Sequence, residues 1–246
     1  MVLSALPGGL FGARHGDPPA GVVALHGWRR THTDFDAVLA GYPAAAPDLP
    51  GFGATPAPPA AWGSADYAAA VLPLCQEGPP VVLVGHSFGG KVAVALAAAH
   101  PDRVAALVLT GAPLLRPAGQ PRPRPSLAHR VARGLHRAGL LSDARMEARR
   151  QAGGSDDYRA AVGVMRDVLV RSIAEMDDGT YRRELGGLTC PVELVWGERD
   201  TAAPPAVAHE AATLVGGATV TVVPGVGHHL PTEAPDALRA AIDRHR

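Results

Sequence analysis

Gly85-His86-Ser87-Phe88-Gly89 lies between a short apolar run and an Ala-rich one. Residues 79–84 before it are mostly apolar and β-branched, as in a buried parallel strand. Residues 90–99 after it contain no helix breaker before Pro101 and predict a packed helix. A serine at such a strand-to-helix corner sits on a sharp turn with positive φ, so the residues two before and two after it must be small. Glycines meet that need here, and the stretch predicts a nucleophile elbow.

Strands and helices are predicted to alternate along most of the chain. The apolar runs predict strands at 21–26, 44–49, 79–84, 103–110, 191–197 and 219–223, and the intervening stretches predict helices at 33–39, 66–74, 90–99, 204–214 and 233–244. Such alternation is typical of an α/β fold with a mostly parallel sheet flanked by helices. Because ligands bind such sheets at the carboxyl ends of the strands, we expect the functional residues there.

One region interrupts the alternation. About eighty residues separate the strand that ends at Thr110 from the one that starts at Val192, too many for a single crossover. Residues 116–125 are rich in Pro and Arg and are predicted to be extended. Residues 126–141 and 156–173 carry apolar residues at helical spacing, which in the first stretch are Leu127, Val131, Leu135 and Ala138. We therefore predict a core formed by residues 1–113 and 186–246, with a helical lid inserted at 114–185.

The composition is that of one globular domain and argues against several classes of protein. The chain has 246 residues, of which 47% are hydrophobic and 19% charged, and its net charge is zero. Zero net charge argues against nucleic acid as a partner, and no apolar run reaches the ~20 residues of a membrane span. The first nine residues lack the basic region of a signal peptide. Cys75 and Cys190 are predicted to be reduced thiols, so we expect a cytoplasmic protein without stable membrane association.

A serine nucleophile needs a general base within hydrogen-bond reach and an acid that orients the base. Asp200 and His228 each follow a predicted strand, on loops at its carboxyl end. Both come after Ser87, and the order Ser, Asp, His is one that a fold of this kind uses. Glu198 competes with Asp200 for the role of the acid, and His229 competes with His228 for that of the base.

Five short motifs follow one another from about residue 20 to the end of the chain. They are His26-Gly27-Trp28, Asp48-Leu49-Pro50-Gly51-Phe52-Gly53, Gly85-His86-Ser87-Phe88-Gly89-Gly90, Gly197-Glu198-Arg199-Asp200, and Gly227-His228 with Glu233 and Pro235 following. With these motifs in this order, the chain resembles the α/β-hydrolase superfamily, in its branch of lidded serine esterases and C–C hydrolases. The implied fold is the mostly parallel sheet already expected from the alternation of elements.

The resemblance also implies which residues carry the chemistry. It implies that Ser87 is the nucleophile, His228 the general base and Asp200 the acid that orients the base. It further implies an oxyanion hole formed by the backbone N–H groups of Trp28 and Phe88. No cofactor is implied, and the sequence has neither metal-ligand spacing nor a phosphate-binding glycine loop.

Other polar residues of the motifs and of the lid are interpreted as structural. His26 is expected to hydrogen-bond a turn, Asp48 to stabilise a loop, and His86 to support the elbow. Between Arg116 and Arg150 there are nine arginines against two acidic residues. We interpret that cluster as a solvated face whose Arg stems cover apolar surface, with attraction of an acidic substrate as the alternative.

The expected activity is hydrolysis of a small or medium carboxylic ester, or of a thioester or lactone, through an acyl-enzyme. A serine at the nucleophile argues against the alkyl-ester chemistry of haloalkane dehalogenases and epoxide hydrolases, and Arg29 after Trp28 argues against a haloperoxidase-like member. A C–C bond hydrolase, a lyase or cyclase on the same triad, and a ligand receptor of low turnover remain alternatives. We expect a small-molecule ester-type substrate and a monomer or homodimer.

Overall fold

An eight-stranded sheet forms the centre of the molecule. The computed structural model describes residues 3–116, 127–142, 144–146, 148 and 155–246. The strands are β1 Ser4–Leu6, β2 Leu10–His15, β3 Val22–Leu25, β4 Ala44–Asp48, β5 Val81–His86, β6 Val104–Thr110, β7 Val192–Gly197 and β8 Thr219–Val223, in the order β1-β2-β4-β3-β5-β6-β7-β8. Strands β3 to β8 run parallel, whereas β1 and β2 pair antiparallel. The predicted α/β fold with a mostly parallel sheet is confirmed.

Helices flank the sheet on both faces. The α-helices are α1 Asp36–Leu39, α2 Ser64–Val71, α3 Phe88–Ala99, α4 Leu127–Arg137, α5 Asp156–Ala160, α6 Val164–Asp177, α7 Thr180–Gly186, α8 Pro205–Ala212, α9 Leu230–Glu233 and α10 Pro235–Asp243, and 3₁₀ turns occur at Pro7–Gly9, His32–Phe35, Leu72–Cys75 and Pro101–Arg103. Among the residues described, no helix is both long and apolar enough to cross a membrane. The cytoplasmic location stays a prediction.

The sheet separates two apolar cores. Because successive side chains of a strand point to opposite faces, Val81 and Leu83 of β5 join one core while Val82 and Val84 join the other. Residues of α2, α3 and α8 complete the first core, and residues of α1 and α10 complete the second. A strand buried on both faces shows no polar alternation, which is why β5 is a continuous apolar run in the sequence.

Two features of the sheet domain differ from the sequence-based expectation. The N-terminal hairpin of β1 and β2 was not predicted, and it extends the sheet by pairing with β4. The closing helix expected over 233–244 is α10, and the short helix α9 before it was not predicted. The two helices are separated at Ala234, whose φ of −145° and ψ of 62° are not helical. Proline disfavours helical backbone in the residue before it, and Pro235 follows Ala234 directly.

The insertion between β6 and β7 contains α4 to α7. The helix expected over 126–141 is α4, but Val131 is 53% exposed and Leu135 41% exposed, so these apolar residues do not face a core. The helix expected over 156–173 is divided into α5 and α6 before Gly163, whose φ is +53°. Helix α7 was not predicted. The extended stretch at 116–125 lies outside the described residues except for Arg116.

Candidate active site

The turn at Ser87 has the backbone expected of an elbow. Ser87 has φ +50° and ψ −112°, and its N–H donates to the Thr110 carbonyl at 2.9 Å. A Cβ added at Gly85 would lie 2.6 Å from Gly90 Cα, and one added at Gly89 would overlap the carbonyl of Leu25. Strand β5 and helix α3 therefore meet so closely that only glycine fits on either side of the serine.

Ser87, His228 and Asp200 form a continuous hydrogen-bonded chain. The distance between Ser87 Oγ and His228 Nε2 is 3.1 Å, and that between His228 Nδ1 and Asp200 Oδ2 is 2.8 Å. A carboxylate oxygen accepts, so Nδ1 carries a proton and Nε2 of the neutral ring is free to accept the Ser87 hydroxyl proton. The three side chains come from loops that follow β5, β7 and β8, all at the carboxyl edge of the sheet.

Asp200 and Glu198, the two candidates for the acid, make different contacts. The second oxygen of Asp200 accepts from the N–H groups of Ala202 at 2.9 Å and Ala203 at 2.8 Å, and the residue is only 3% exposed. These bonds aim the other oxygen at His228. Glu198 instead accepts from the Gly225 N–H at 2.9 Å and so braces the neighbouring loop.

The loop that carries His228 is held by Glu233. One carboxylate oxygen of Glu233 accepts from Gly227 N–H at 2.7 Å and the other from His229 N–H at 3.2 Å. Both bonds flank His228 and fix its backbone. The ring of His229 lies 5.4 Å from that of His228, and the structure brings His228 rather than His229 to Ser87.

The backbone N–H groups of Trp28 and Phe88 are free to bind a ligand atom. Phe88 is the first residue of α3, where an N–H has no acceptor within the helix. Neither N–H donates to another residue within the described ranges. The Trp28 ring makes edge contacts with Phe52 at 4.9 Å and Phe88 at 5.3 Å, and the Gly89 N–H donates to the His26 carbonyl at 3.1 Å. These contacts hold the loop of Trp28 against the elbow.

His26 and Asp48 have the turn-stabilising contacts expected of them. His26 Nδ1–H donates to the Gly27 carbonyl at 2.8 Å, and Nε2 accepts from the Leu49 N–H at 2.9 Å. Burial lowers the pKa of His26 to about 4, in keeping with a neutral ring. Asp48 accepts from the backbone and ring of His32 and from the Ala54 N–H, each within 2.9 Å.

Sequence reasoning missed Gly111. This glycine follows β6 with φ +56°, and a Cβ there would lie 3.1 Å from both Asp200 Oδ2 and His228 Cε1. A side chain at position 111 would therefore strain a left-handed backbone and press on the Asp–His contact. The available signal was a glycine directly after a buried strand, at the edge where the other site residues were expected.

A cavity of about 450 Å³ opens onto Ser87 and His228. Its lining includes Trp28 of the sheet domain and Asp156 and Asp157 at the start of α5. Asp157 lies 3.7 Å from the Arg29 guanidinium, and Asp156 pairs with Arg159. The described lining thus combines apolar surface with carboxylates that have cationic neighbours.

In the part of the chain that the structure describes, no group of three or more His, Cys, Asp or Glu side chains could hold a metal ion. The expectation that no cofactor is needed stays a prediction.

A hydrogen-bonded serine–histidine–aspartate chain at the carboxyl edge of a parallel sheet is the arrangement found in one class of hydrolases. The model of the alpha/beta hydrolase family matches residues 22–241, and the chain belongs to this family. The predicted superfamily and the predicted enzyme class, a hydrolase, are confirmed.

Curated relatives carry hydrolase names. A pimeloyl-[acyl-carrier protein] methyl ester esterase of Aromatoleum aromaticum is 31% identical over 234 residues, covering 84% of this chain and 90% of that protein. Lipase LipV of Mycobacterium tuberculosis is 46% identical over 100 residues, about a third of either chain (37% and 36%). Among solved structures, a thioesterase domain from the curacin biosynthetic pathway has a TM-score of 0.66 at 24% identity, covering 95% of this chain and 94% of that one, which supports the fold.

Proposed function

We propose that this protein hydrolyses a small or medium carboxylic ester through an acyl-enzyme on Ser87. The observation that carries the proposal is the hydrogen-bonded chain from Ser87 Oγ to His228 and Asp200, with distances of 3.1 and 2.8 Å. Such a chain activates a hydroxyl that is otherwise a weak nucleophile. The esterase and lipase names of the relatives support an ester as the substrate class.

The proposed reaction has two halves. His228 Nε2 takes the proton from Ser87 Oγ as the oxygen attacks the ester carbonyl, and the protonated ring then gives that proton to the leaving alcohol. An ester bond joins the acyl group to Ser87. His228 next takes a proton from water, which attacks the acyl-enzyme, and returns it to Ser87 as the carboxylic acid leaves. Asp200 keeps the imidazole in the required tautomer throughout.

The N–H groups of Trp28 and Phe88 are proposed to bind the oxyanion of both tetrahedral intermediates. Support comes from their lack of other acceptors among the described residues and from the contacts that hold the Trp28 loop on the elbow. A donor of this kind contributes about 3 kcal/mol of transition-state stabilisation in comparable sites. Because both N–H groups are fixed before substrate binds, that contribution needs no rearrangement.

The insertion is proposed to act as a lid, with the core at 1–113 and 186–246 and the lid at 114–185. Residues at the start of α5 line the same cavity as Ser87. Hydrogen bonds join α6 to α3, where Lys91 Nζ donates to the carbonyl and the hydroxyl of Ser172 at 3.1 and 3.0 Å. Because the insertion and not the catalytic loops forms this part of the cavity wall, substrate selectivity can vary without changes in those loops.

The cavity volume and its charges bear on the substrate. About 450 Å³ is within the range of small-molecule sites and suits a short or medium acyl chain. Arg30 also lines the cavity, but its guanidinium is bonded to Asp34 at 2.7 and 2.6 Å. With Asp156 and Asp157 as the other charged residues of the described lining, a free carboxylate close to the scissile bond is disfavoured. A neutral ester is therefore the proposed substrate, with thioesters and lactones as chemically related acyl donors.

The experiment that tests the proposal is hydrolysis of p-nitrophenyl esters from acetate to laurate. The wild-type protein is expected to show a chain-length optimum, and Ser87→Ala to lose at least about 10⁴-fold in kcat. Thr213→Ala serves as the control and is expected to keep full turnover. It removes an exposed hydroxyl at the end of α8 that is not part of the cavity lining.

Full activity in Ser87→Ala would exclude the mechanism. Labelling of Ser87 by a fluorophosphonate without turnover of any ester, thioester or lactone would retain the nucleophile but refute ester hydrolysis. That outcome would favour the C–C hydrolase, the lyase or cyclase, or the receptor of low turnover.

A further inference from the structure

His86 precedes the nucleophile and is fully buried. Its Nε2 lies 2.9 Å from the main-chain carbonyl oxygen of His228. A carbonyl oxygen can only accept, so Nε2 carries the proton and donates it in this bond. The bond crosses from the end of β5 to the loop after β8 and ends on the same residue whose ring faces Ser87.

The other side of the His86 ring faces the loop of the proposed oxyanion hole. A Cβ added at Gly27 would lie 2.9 Å from His86 Nδ1 and 3.3 Å from Ser87 Cβ. The Gly27 backbone therefore packs directly on the His86 ring, and a side chain there would displace either the ring or the serine. The ring lies between Gly27 and the His228 loop, and the backbone of His86 continues directly into Ser87, so His86 joins the oxyanion loop, the elbow and the His228 loop.

The buried ring of His86 is neutral, as expected of a residue with a structural role. Burial, together with the nearby His228, lowers the pKa of His86 to about 3, so the ring stays neutral at working pH. Its Nδ1 atom has no hydrogen-bond partner among the residues described here. The Nε2–H group is used in the bond to the His228 carbonyl, and the lone pair of Nδ1 is buried. The neutral ring therefore places no charge beside His228 and takes no proton from it.

We propose that His86 is a positioning residue that sets the distance between the His228 loop, the nucleophile elbow and the oxyanion loop through its Nε2–H bond to the His228 carbonyl. The inference rests on the proposed roles of Ser87 and His228. His86 acts through the backbone of His228 and touches no reacting atom. Loss of the bond lets the His228 loop shift away from Ser87, and a displacement of about 1 Å costs on the order of 100-fold in rate.

The test compares two substitutions of similar length. His86→Met removes the N–H donor, whereas His86→Gln offers an amide N–H at a comparable distance from Cα. Each protein is titrated with a fluorophosphonate so that kcat is expressed per competent Ser87, and labelling rates and KM are measured alongside. His15→Met, which removes another buried histidine outside the cavity, controls for loss of stability.

We expect His86→Met to lower both kcat per labelled site and the labelling rate about 100-fold with KM nearly unchanged. His86→Gln is expected to recover most of that loss, and His15→Met to show no loss per labelled site. Equal kcat in the Met and Gln variants would overturn the inference, as would full activity in His86→Met. If the Met variant does not fold, His86→Leu replaces it under the same criteria.

The two proposals fail in different ways. If the wild-type protein is labelled at Ser87 but hydrolyses no ester, the proposed function fails, while the labelling rates of the Met and Gln variants still decide the role of His86. If esters are hydrolysed and the two variants behave alike, the positioning role fails and the proposed function stands.

Discussion

The loops at the carboxyl edge of the sheet and the insertion between β6 and β7 are held by different kinds of contact. In the loops, the Asp200 carboxylate accepts two main-chain hydrogen bonds, the main chain on either side of His228 donates two to Glu233, and glycines allow backbone to pack on backbone. In the described part of the insertion, α5 has no buried residue, and apolar side chains such as Val131 and Val162 are exposed. Further along, α6 and α7 join the core through the buried side chains of Val168 and Leu185 and through the bond from Lys91 to Ser172. The chemistry therefore rests on rigid backbone, and the cavity wall on a segment with fewer buried contacts.

The largest effect is expected from replacing Asp200, the proposed orienting acid, in the loops at the carboxyl edge of the sheet. Asp200→Asn keeps the shape of the side chain but presents His228 with an amide, which favours the wrong tautomer. We expect kcat for p-nitrophenyl esters to fall about 10⁴-fold with little change in KM. Glu198→Gln is the matched control because Glu198 bonds only the Gly225 N–H in the described residues, and it should retain kcat within about 10-fold. A larger loss in the Glu198 variant would reverse the assignment.

A second test makes the same change in both regions. Gly89→Ala would drive a methyl group into the Leu25 carbonyl and is expected to destabilise the fold by about 3 kcal/mol. Gly134→Ala, on the exposed surface of α4 with no atom within 4 Å of the new Cβ, should instead stabilise the helix by about 0.5–1 kcal/mol. Urea unfolding of both variants measures the two effects. Small and equal changes in the free energy of unfolding would mean that the elbow accommodates an added methyl group as readily as the insertion does.

The same contrast separates what the sequence could predict from what it could not. Strand ends, the small residues of the elbow and the three loop residues Ser87, Asp200 and His228 were predictable because each depends on local pattern and on the rule that functional loops share one edge of the sheet. The structure brings those three side chains within hydrogen-bond distance. The need for glycine at 111 was not predictable, since it arises from the approach of two residues about 90 and 117 positions away.

Errors concentrate in the insertion. Periodicity placed Val131 and Leu135 on one face of a helix but could not say what that face meets, and in the structure both side chains are exposed. The break at Gly163 was missed because a single glycine within a periodic stretch is compatible with a continuous helix. Local pattern thus predicted the element types there but not how they dock.

The third test is the pH dependence of stability, where the two regions should respond with opposite sign. In the core, burial lowers the pKa of His26 to about 4 and that of His86 to about 3. Between pH 6.5 and 4 the unfolded chain therefore binds protons that the native protein does not, and stability falls as the pH falls. By pH 5 the loss is about 2 kcal/mol per histidine relative to pH 7. Urea midpoints at the two pH values measure it, and His86→Gln should halve this contribution.

In the insertion, Glu184 of α7 acts in the other direction. Burial and the neighbouring Glu175 raise the pKa of Glu184 to about 7, so between pH 4.5 and 7 the native protein holds a proton that the unfolded chain has released. Local stability there should rise as the pH falls, and hydrogen exchange in α6 and α7, measured relative to global unfolding, should slow at pH 5 after correction for intrinsic rates. Glu184→Gln, which is neutral at every pH, should abolish that trend. If exchange in the insertion instead follows the core at both pH values, the two regions open as one unit and the contrast between them does not hold.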